Sequence, residues 1–252
     1  MKIYLKFVKF VQRPSGHFAN IVSFKKKRDE TIDGDVQGRA IWAMGYIASR
    51  NFLPAEITKP AKKIFIKSLK YAPRLKAPRA VAFAMTGLYF YLLKFSNPRL
   101  LKLFRSFADF EVNLYKKTSI SGEWHWFEEQ LTYSNSKLPE SLYYAYHLTR
   151  DNKYLQVAEK TLNFLSQITF ENGNYVPSGQ NGWYFRLKKR AYFDQQPEET
   201  ANMVETLLAA HQVTGEKQYL KDAYRVFSWF LGKNHLGQMV YDEATGGCYD
   251  GV

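Results

Sequence analysis

Two short segments of similar build decide the predicted fold: TRDNKYL at Thr149–Leu155 and TGEKQYL at Thr214–Leu220. Each segment lies between two stretches in which apolar residues recur with the period of an α-helix. Each also ends in the Tyr and Leu that begin the second stretch. The repeat therefore predicts two αα-hairpins of the same design.

The helical period recurs along most of the chain, with turn residues between the periodic stretches. The predicted helices are Tyr4–Val11 (in part), Val36–Asn51, Pro54–Leu69, Pro78–Phe95, Pro98–Tyr115, Ser136–Thr149, Tyr154–Thr169, Pro197–Thr214 and Tyr219–Leu231. Four of them start at a proline, which the first helical turn tolerates because its N–H would have no partner there. Strand patterns are limited to Asn174–Val176 and Gln238–Tyr241. The predicted class is all-α.

The turns between the predicted helices alternate in length. Those at Thr149–Lys153 and Thr214–Lys217 are tight, whereas those at Thr118–Ser134, Phe170–Gln196 and Gly232–Val252 are long and rich in Trp, Tyr, Asn, Gly and acids. Solenoid repeats usually have short, similar turns, so the alternation favours a single α/α toroid domain over residues 1–252. A toroid would gather the long loops around a central cavity, where function usually lies.

Composition limits the class of protein. The chain has 252 residues, 46% of them hydrophobic, and a single cysteine, Cys248, which excludes an intrachain disulfide framework. A reducing, cytoplasmic compartment is the expectation. Three lysines interrupt the N-terminal sequence MKIYLKFVKFV, so it does not resemble a signal peptide, and no later apolar run predicts a transmembrane segment.

The formal net charge of +13 is unevenly distributed. Residues 1–120 contain 24 Lys and Arg against 7 Asp and Glu, whereas residues 121–252 contain 12 against 16. The basic residues are scattered over several helices, and no nucleic-acid-binding motif accompanies them, so specific nucleic-acid binding is not predicted. An acidic partner or an anionic surface is a more general expectation.

Five segments in consistent order carry a family resemblance: DVQGRAIWAMGY, GEWHWFEEQLTYSNSKLPESL, PSGQNGWYFR, FDQQPEETANMVETL and WFLGKNHLGQMVYDEATGGCYDG. Together they resemble the six-hairpin glycosidase-like family of (α/α)6 proteins, which are often labelled as glycosyltransferases or fused to them. The resemblance implies an α/α toroid, a carbohydrate ligand and a glycosyltransferase partner. Six hairpins need twelve helices, so the toroid is expected to be incomplete at both ends.

The segment from Tyr175 to Thr214 contains the main predicted site. It combines amides and aromatic rings with an acid before a proline-started helix, a mixture that suits the hydroxyls and flat C–H faces of a sugar. The predicted residues here are Asp194 as a catalytic acid or base, with Asn181, Trp183, Tyr184, Gln195 and Gln196 binding substrate. Glu198 and Glu199 lie in the first helical turn, where acids stabilise the helix dipole, and we interpret them as structural.

Three other groups add candidates. Glu128 and Glu129 are predicted catalytic acids in a loop whose substrate-binding candidates are Trp124, His125, Trp126 and Tyr133. The alternative is that one Trp lies in the core and the two glutamates cap the following turn. Asp35 is a third catalytic candidate, with Arg39 and Trp42 binding substrate, and its alternative is a helix start with a surface arginine. Asp242 is a rim candidate, with a solvated loop acid as the alternative. No metal site or cofactor is predicted.

The predicted function is a carbohydrate-active enzyme of the glycoside-hydrolase type, with Glu128 or Glu129 and Asp194 as the carboxylate pair. Similar (α/α)6 glycosidases commonly invert, which would place the two carboxyl groups about 6.5–9.5 Å apart. One alternative is a sugar epimerase that uses a His125/His235 pair. Another is a glycan-binding or scaffolding domain that works beside a glycosyltransferase.

Overall fold

The computed structural model describes all residues from Met1 to Val252 and is mostly helical. The α-helices are α1 (Lys2–Val11), α2 (Gly34–Ser49), α3 (Ala55–Ser68), α4 (Pro78–Lys94), α5 (Pro98–Thr118), α6 (Lys137–Thr149), α7 (Asn152–Thr169), α8 (Pro197–Thr214) and α9 (Lys217–Phe227). Short 3₁₀ turns occupy Ala72–Arg74 and Ser228–Phe230. Each of the predicted helices is present, so the all-α prediction is confirmed.

The strands are short. They are β1 (Gln130–Leu131), β2 (Phe170–Glu171), β3 (Asn174–Tyr175) and β4 (Tyr184–Phe185). β1 pairs with β4 and β2 with β3, both antiparallel. The strand predicted near residue 174 is therefore present as β3, whereas the segment around residues 238–241 forms only the isolated bridges Leu231–Met239 and Tyr241–Cys248.

The two repeated segments fold into the same turn. The helix before each one ends at a residue with left-handed backbone conformation, Arg150 at φ 58° and Gly215 at φ 80°. One residue later, the backbone N–H of Asp151 and that of Glu216 donate to the hydroxyl of the threonine two positions earlier, at 3.3 and 3.2 Å. The sequence repeat therefore encodes a repeated helix-ending geometry.

The chain divides into two compact units, residues 1–109 and residues 110–252. In the first unit α2 packs against α3 and α4, and α1 packs against α3. In the second unit α6 packs against α7 and α8, and α8 packs against α9. None of the helices combines the length and apolar character needed to cross a bilayer.

Three glycines set the distance between α2 and α4. A Cβ on Gly38 would lie 2.4 Å from the carbonyl oxygen of Ala80, and one on Gly45 would lie 2.3 Å from that of Gly87. A Cβ on Gly87 would in turn lie 2.4 Å from the carbonyl oxygen of Ile41. Because the obstructing atoms belong to the backbone, they cannot move aside by a side-chain rotation.

We expect Gly45→Ala and Gly87→Ala each to lower the free energy of unfolding by about 1–3 kcal/mol, because the added methyl group would force α2 and α4 apart. Urea denaturation followed by circular dichroism measures this. Gly34→Ala is the matched control, since its Cβ would meet only side-chain atoms at 3.4 Å or beyond. Equal losses in the control and in Gly45→Ala would contradict the proposed close approach.

Candidate functional site

Three long loops meet in the unit formed by residues 110–252. We call residues 119–136 the first loop, residues 170–196 the second loop and residues 231–252 the third loop. β1 of the first loop pairs with β4 of the second. In the third loop, Val252 exchanges two backbone hydrogen bonds with Gln195, at 2.7 and 3.0 Å. The loops that the sequence predicts to share one face are therefore in contact around the start of α8.

The first turn of α8 holds the first loop. Glu198 accepts a hydrogen bond from the hydroxyl of Ser134 at 2.6 Å. Glu199, which is only 5% exposed, accepts from the side-chain amide of Asn135 at 2.7 Å and from its backbone N–H at 3.3 Å. The structural interpretation of both glutamates thus fits their contacts, and these contacts reach beyond the helix dipole to the adjacent loop.

A surface cavity of about 250 Å³ lies where α8 begins. Its lining residues come from the helix start and from the third loop: Gln196, Pro197, Glu198, Cys248, Tyr249 and Asp250. Two acidic residues and one glutamine therefore line a common space beside an exposed tyrosine. No lysine or arginine is among these lining residues.

Asp194 borders this region and is held in place on two sides. Its Oδ2 accepts from the side-chain amide of Gln180 at 3.2 Å, and its backbone carbonyl accepts from the N–H of the same residue at 2.9 Å. A Cβ on Gly251 would lie 2.1 Å from Oδ1, so the backbone of the third loop lies directly against the carboxylate. Asp194 is half-buried and lies against the backbone of Gly251, the residue that follows Asp250.

The aromatic residues divide into buried and accessible ones. Trp124 and Trp126 are 3% and 0% exposed, so neither offers an indole face to a ligand, and their predicted role as sugar platforms does not fit this burial. The ring of Trp124 instead packs against Tyr184 at 5.6 Å. Trp183 and Tyr184 are half-buried, and Asn181 is exposed.

The predicted acids of the first loop have different surroundings. Glu129 forms an ion pair with Arg186 of the second loop. Glu128 is half-buried, and its backbone carbonyl accepts from the indole N–H of Trp124 at 2.7 Å. Tyr133 is half-buried two residues after β1.

Gln195 has a structural position that the sequence did not indicate. It is completely buried, its Oε1 accepts from the indole N–H of Trp229 at 3.0 Å, and its Nε2 donates to the carbonyl of Tyr192 at 3.1 Å. The predicted role in binding substrate does not fit this position, because both ends of the amide are engaged inside the protein. Gln196, in contrast, lines the cavity.

Asp242 organises its own turn. Its Oδ1 accepts from the backbone N–H of Ala244 at 2.9 Å and its Oδ2 from the hydroxyl of Thr245 at 2.5 Å. These bonds, the one from Thr245 first, lower the pKa of the carboxyl group. These contacts match the alternative interpretation, in which Asp242 is a solvated loop acid. Asp242 is also not among the residues that line the cavity.

The histidines of the proposed epimerase pair contact different residues. The Nδ1 of His125 lies 3.4 Å from the hydroxyl of Tyr115, and its ring packs against Phe164. The ring of His235 packs edge-on against Phe193 at 5.2 Å. Both ring nitrogens of His235 are buried without a hydrogen-bond partner, and burial lowers the pKa of this imidazole.

The remaining predicted residues lie in the unit formed by residues 1–109. Asp33 caps α2 by accepting from the backbone N–H of Val36 at 3.0 Å, and Asp35 follows in the first helical turn. The guanidinium of Arg39 lies 4.3 Å from the ring centre of Phe83, against which Trp42 stacks at 5.7 Å. Arg39 and Trp42 therefore share one face of α2, as the one-turn spacing predicts.

The sequence pattern did not predict a buried cluster of charged residues around Lys137. Lys137 is fully buried and forms ion pairs with Glu140 and Glu205. Burial raises the pKa of Glu140, a change that the neighbouring Lys137 opposes. The spacing of Lys137 and Glu140 on one helix was the available signal, but charged pairs three residues apart are usually exposed. No group of three or more metal-ligating side chains is arranged to hold an ion.

No protein-family model and no curated protein matches the chain. Solved structures do match its fold. A family 76 α-mannanase from Bacteroides thetaiotaomicron matches with a TM-score of 0.68 at 12% identity, over 99% of this chain and 72% of its own. The cellobiose 2-epimerase of Bacillus thermoamylovorans matches with a TM-score of 0.67 at 12% identity, over 99% and 72%. A D-mannose isomerase matches with a TM-score of 0.67 at 13% identity, over 96% and 70%.

These solved structures have the six-hairpin, (α/α)6 toroid fold, and they confirm the fold that the family resemblance implies. The identities of 12–13% support the fold alone.

A test of the His235 environment follows from its burial. The neutral imidazole is favoured in the folded protein, so its folded pKa lies below the unfolded value of about 6.5. Below that pH the unfolded chain binds more protons than the folded protein does. The stability contributed by neutral His235 is therefore lost as the pH falls toward the folded pKa. We expect His235→Gln to reduce the loss of unfolding free energy between about pH 7 and about pH 5, measured by urea denaturation. A loss equal to that of the wild type would contradict this assignment.

Proposed function

We propose that this chain, with its six-hairpin glycosidase-like fold, is a carbohydrate-active enzyme that hydrolyses glycosidic bonds at the start of α8. The single observation that carries the proposal is the cavity lined by Gln196, Glu198, Tyr249 and Asp250, with Asp194 fixed against the adjacent Gly251. The proteins that share the fold include a mannanase, a cellobiose epimerase and a mannose isomerase, and all three names refer to sugars.

Glycoside hydrolysis needs two carboxyl groups with different tasks. One protonates the leaving oxygen, and the other activates water or attacks the sugar. We favour Asp194 and Asp250 as this pair. Asp250 directly precedes Gly251, whose backbone lies against the Asp194 carboxylate. Glu198 is less suited to proton transfer, since it is bound to Ser134. Glu128 remains the candidate of the first loop, and the ion pair with Arg186 makes Glu129 less suitable.

The chemistry of the cavity indicates a substrate class. Two acids and no basic residue line it, so a uronic acid or a sulfated sugar would meet like charge there. A neutral glycan would not, and its hydroxyls could pair with Gln196 and the carboxylates while a sugar face lies on Tyr249, which is 54% exposed. We therefore propose neutral oligosaccharides as substrates.

An epimerase has one specific observation in its favour. His235 has a lowered pKa and two ring nitrogens without a hydrogen-bond partner, so at neutral pH it is a neutral imidazole, the form in which a histidine acts as a base. The mechanism also needs a second group on the opposite face of the sugar, and His125 contacts Tyr115 and Phe164 rather than Phe193. A glycosyltransferase partner remains a prediction from the sequence resemblance.

The test is turnover of a panel of neutral oligosaccharides by the whole chain and by three variants: Asp194→Asn, Asp250→Asn and Glu128→Gln. We expect loss of the general acid or base to lower kcat by about 10²–10⁴-fold, because the amide cannot transfer the proton. Glu243→Gln is the matched control, since Glu243 is an exposed acid of the same loop that does not line the cavity.

The readout distinguishes the alternatives. New reducing ends, with the inverted anomer observed by NMR, would support the hydrolase, whereas an epimer without chain cleavage that depends on His235 would support the epimerase. Calorimetric binding without any conversion would support a glycan-binding domain. Wild-type turnover in all three acid variants would overturn the assignment of these carboxylates.

A further inference from the structure

Helix α1 presents an unusual face to solvent. Leu5 and Val11 are buried, while four large apolar side chains of the same helix are exposed: Ile3 at 81%, Tyr4 at 75%, Phe7 at 52% and Phe10 at 39%. The exposed lysines Lys2, Lys6 and Lys9 lie beside this apolar stripe. Exposed apolar patches of this kind usually mark an interaction site, and a basic amphipathic helix is typical of one that lies on a membrane surface.

A second exposed apolar residue lies on the tip of a tight turn. Phe24 is fully exposed and is followed by the exposed residues Lys25, Lys26 and Lys27. The turn is closed by hydrogen bonds from the N–H of Ser23 to the carbonyl of Lys27 at 2.9 Å and from the N–H of Lys26 to that of Ser23 at 2.8 Å. The phenyl ring is therefore held out from the protein by an ordered backbone.

Arg28 joins this turn to α1. Its guanidinium donates to the carbonyl of Phe10 at 2.7 Å and lies 5.1 Å from the centre of the Phe10 ring. The stripe on α1 and the tip at Phe24 are thus parts of one surface. We call the exposed residues Ile3, Tyr4, Phe7, Phe10 and Phe24, with the lysines beside them, the α1–Phe24 surface.

Positive charge extends from this surface onto α3. Lys9 of α1 and Lys59, Lys63 and Lys67 of α3 line a cavity of about 330 Å³. Lys62 and Lys70 continue the basic lining in a neighbouring groove. Lys2 is neutralised by Glu56 at 3.0 Å, but residues 1–109 as a whole contain 22 Lys and Arg against 6 Asp and Glu.

We propose that the α1–Phe24 surface docks on an anionic phospholipid bilayer. The aromatic and aliphatic side chains enter the boundary between head groups and acyl chains, and the lysines contact the negative head groups. Charge complementarity selects this occupant, because lysines border the apolar residues on α1 and follow Phe24 in the turn. A nucleic acid would pair with the lysines but would leave the aliphatic residues in water. The proposal does not depend on the reaction at α8.

The experiment is co-sedimentation of the whole chain with phosphatidylcholine vesicles and with mixed phosphatidylcholine–phosphatidylserine vesicles, at low and at high salt. We expect binding to the anionic vesicles only, weakened by salt. Phe24→Ser should lower the partition coefficient about tenfold through lost apolar burial. The double variant that carries both Lys25→Gln and Lys27→Gln should have a partition coefficient about 30-fold lower than that of the wild type.

The second unit supplies matched controls. Leu187, Lys188 and Lys189 form another exposed apolar residue followed by exposed lysines, so Leu187→Ser and Lys188→Gln with Lys189→Gln should bind vesicles as the wild type does. Equal losses in these controls, equal binding to neutral vesicles or no binding to either vesicle would overturn the proposal. Self-association in the absence of lipid, abolished by Phe7→Ser, would assign the surface to a second protein chain instead.

Discussion

The organisation of the second unit depends on the buried carboxylate of Glu199 at the start of α8. A polar group at this depth is costly unless it is hydrogen-bonded, and Asn135 supplies both a side-chain and a backbone donor. These hydrogen bonds attach the first loop to the start of α8. Gln195, four residues earlier, is also buried; its backbone pairs with Val252 of the third loop, and its side chain accepts from the indole of Trp229. Residues 195–199 thus attach two loops to one helix end, and the cavity lies between that helix end and the third loop.

The helices were predictable because their signals are local. Apolar period, first-turn prolines and the two repeated turns depend on neighbouring residues, so they identify α2 to α9 from the sequence. The direction of a side chain in a long loop has no such local cause. Trp124 and Trp126 are buried because the first loop is fixed by β1–β4 pairing and by the start of α8, which are contacts with residues about 60 positions away.

The candidate site was predictable only in part for the same reason. Asp194 and Gln196 lie close to the helix start that the sequence predicts, and the structure places both beside the cavity. Gln195 stands between them, yet it points into the core toward Trp229. Asp194, Gln195 and Gln196 are adjacent polar residues that the sequence alone does not distinguish. What distinguishes Gln195 as structural is its hydrogen bond with Trp229, which lies 34 positions away. The contribution of Asp250 similarly depends on the return of the third loop to Asp194.

The net charge is divided unevenly between the two compact units. The value of +13 is the sum of a strongly basic unit and a slightly acidic one, since residues 110–252 contain 14 Lys and Arg against 17 Asp and Glu. Electrostatic attraction falls off within about 10 Å at moderate salt, so each surface responds to its own charges rather than to the total. An acidic cavity at α8 and a basic surface on α1 and α3 are therefore compatible in one chain. The uneven distribution that the sequence shows therefore coincides with the division into two units.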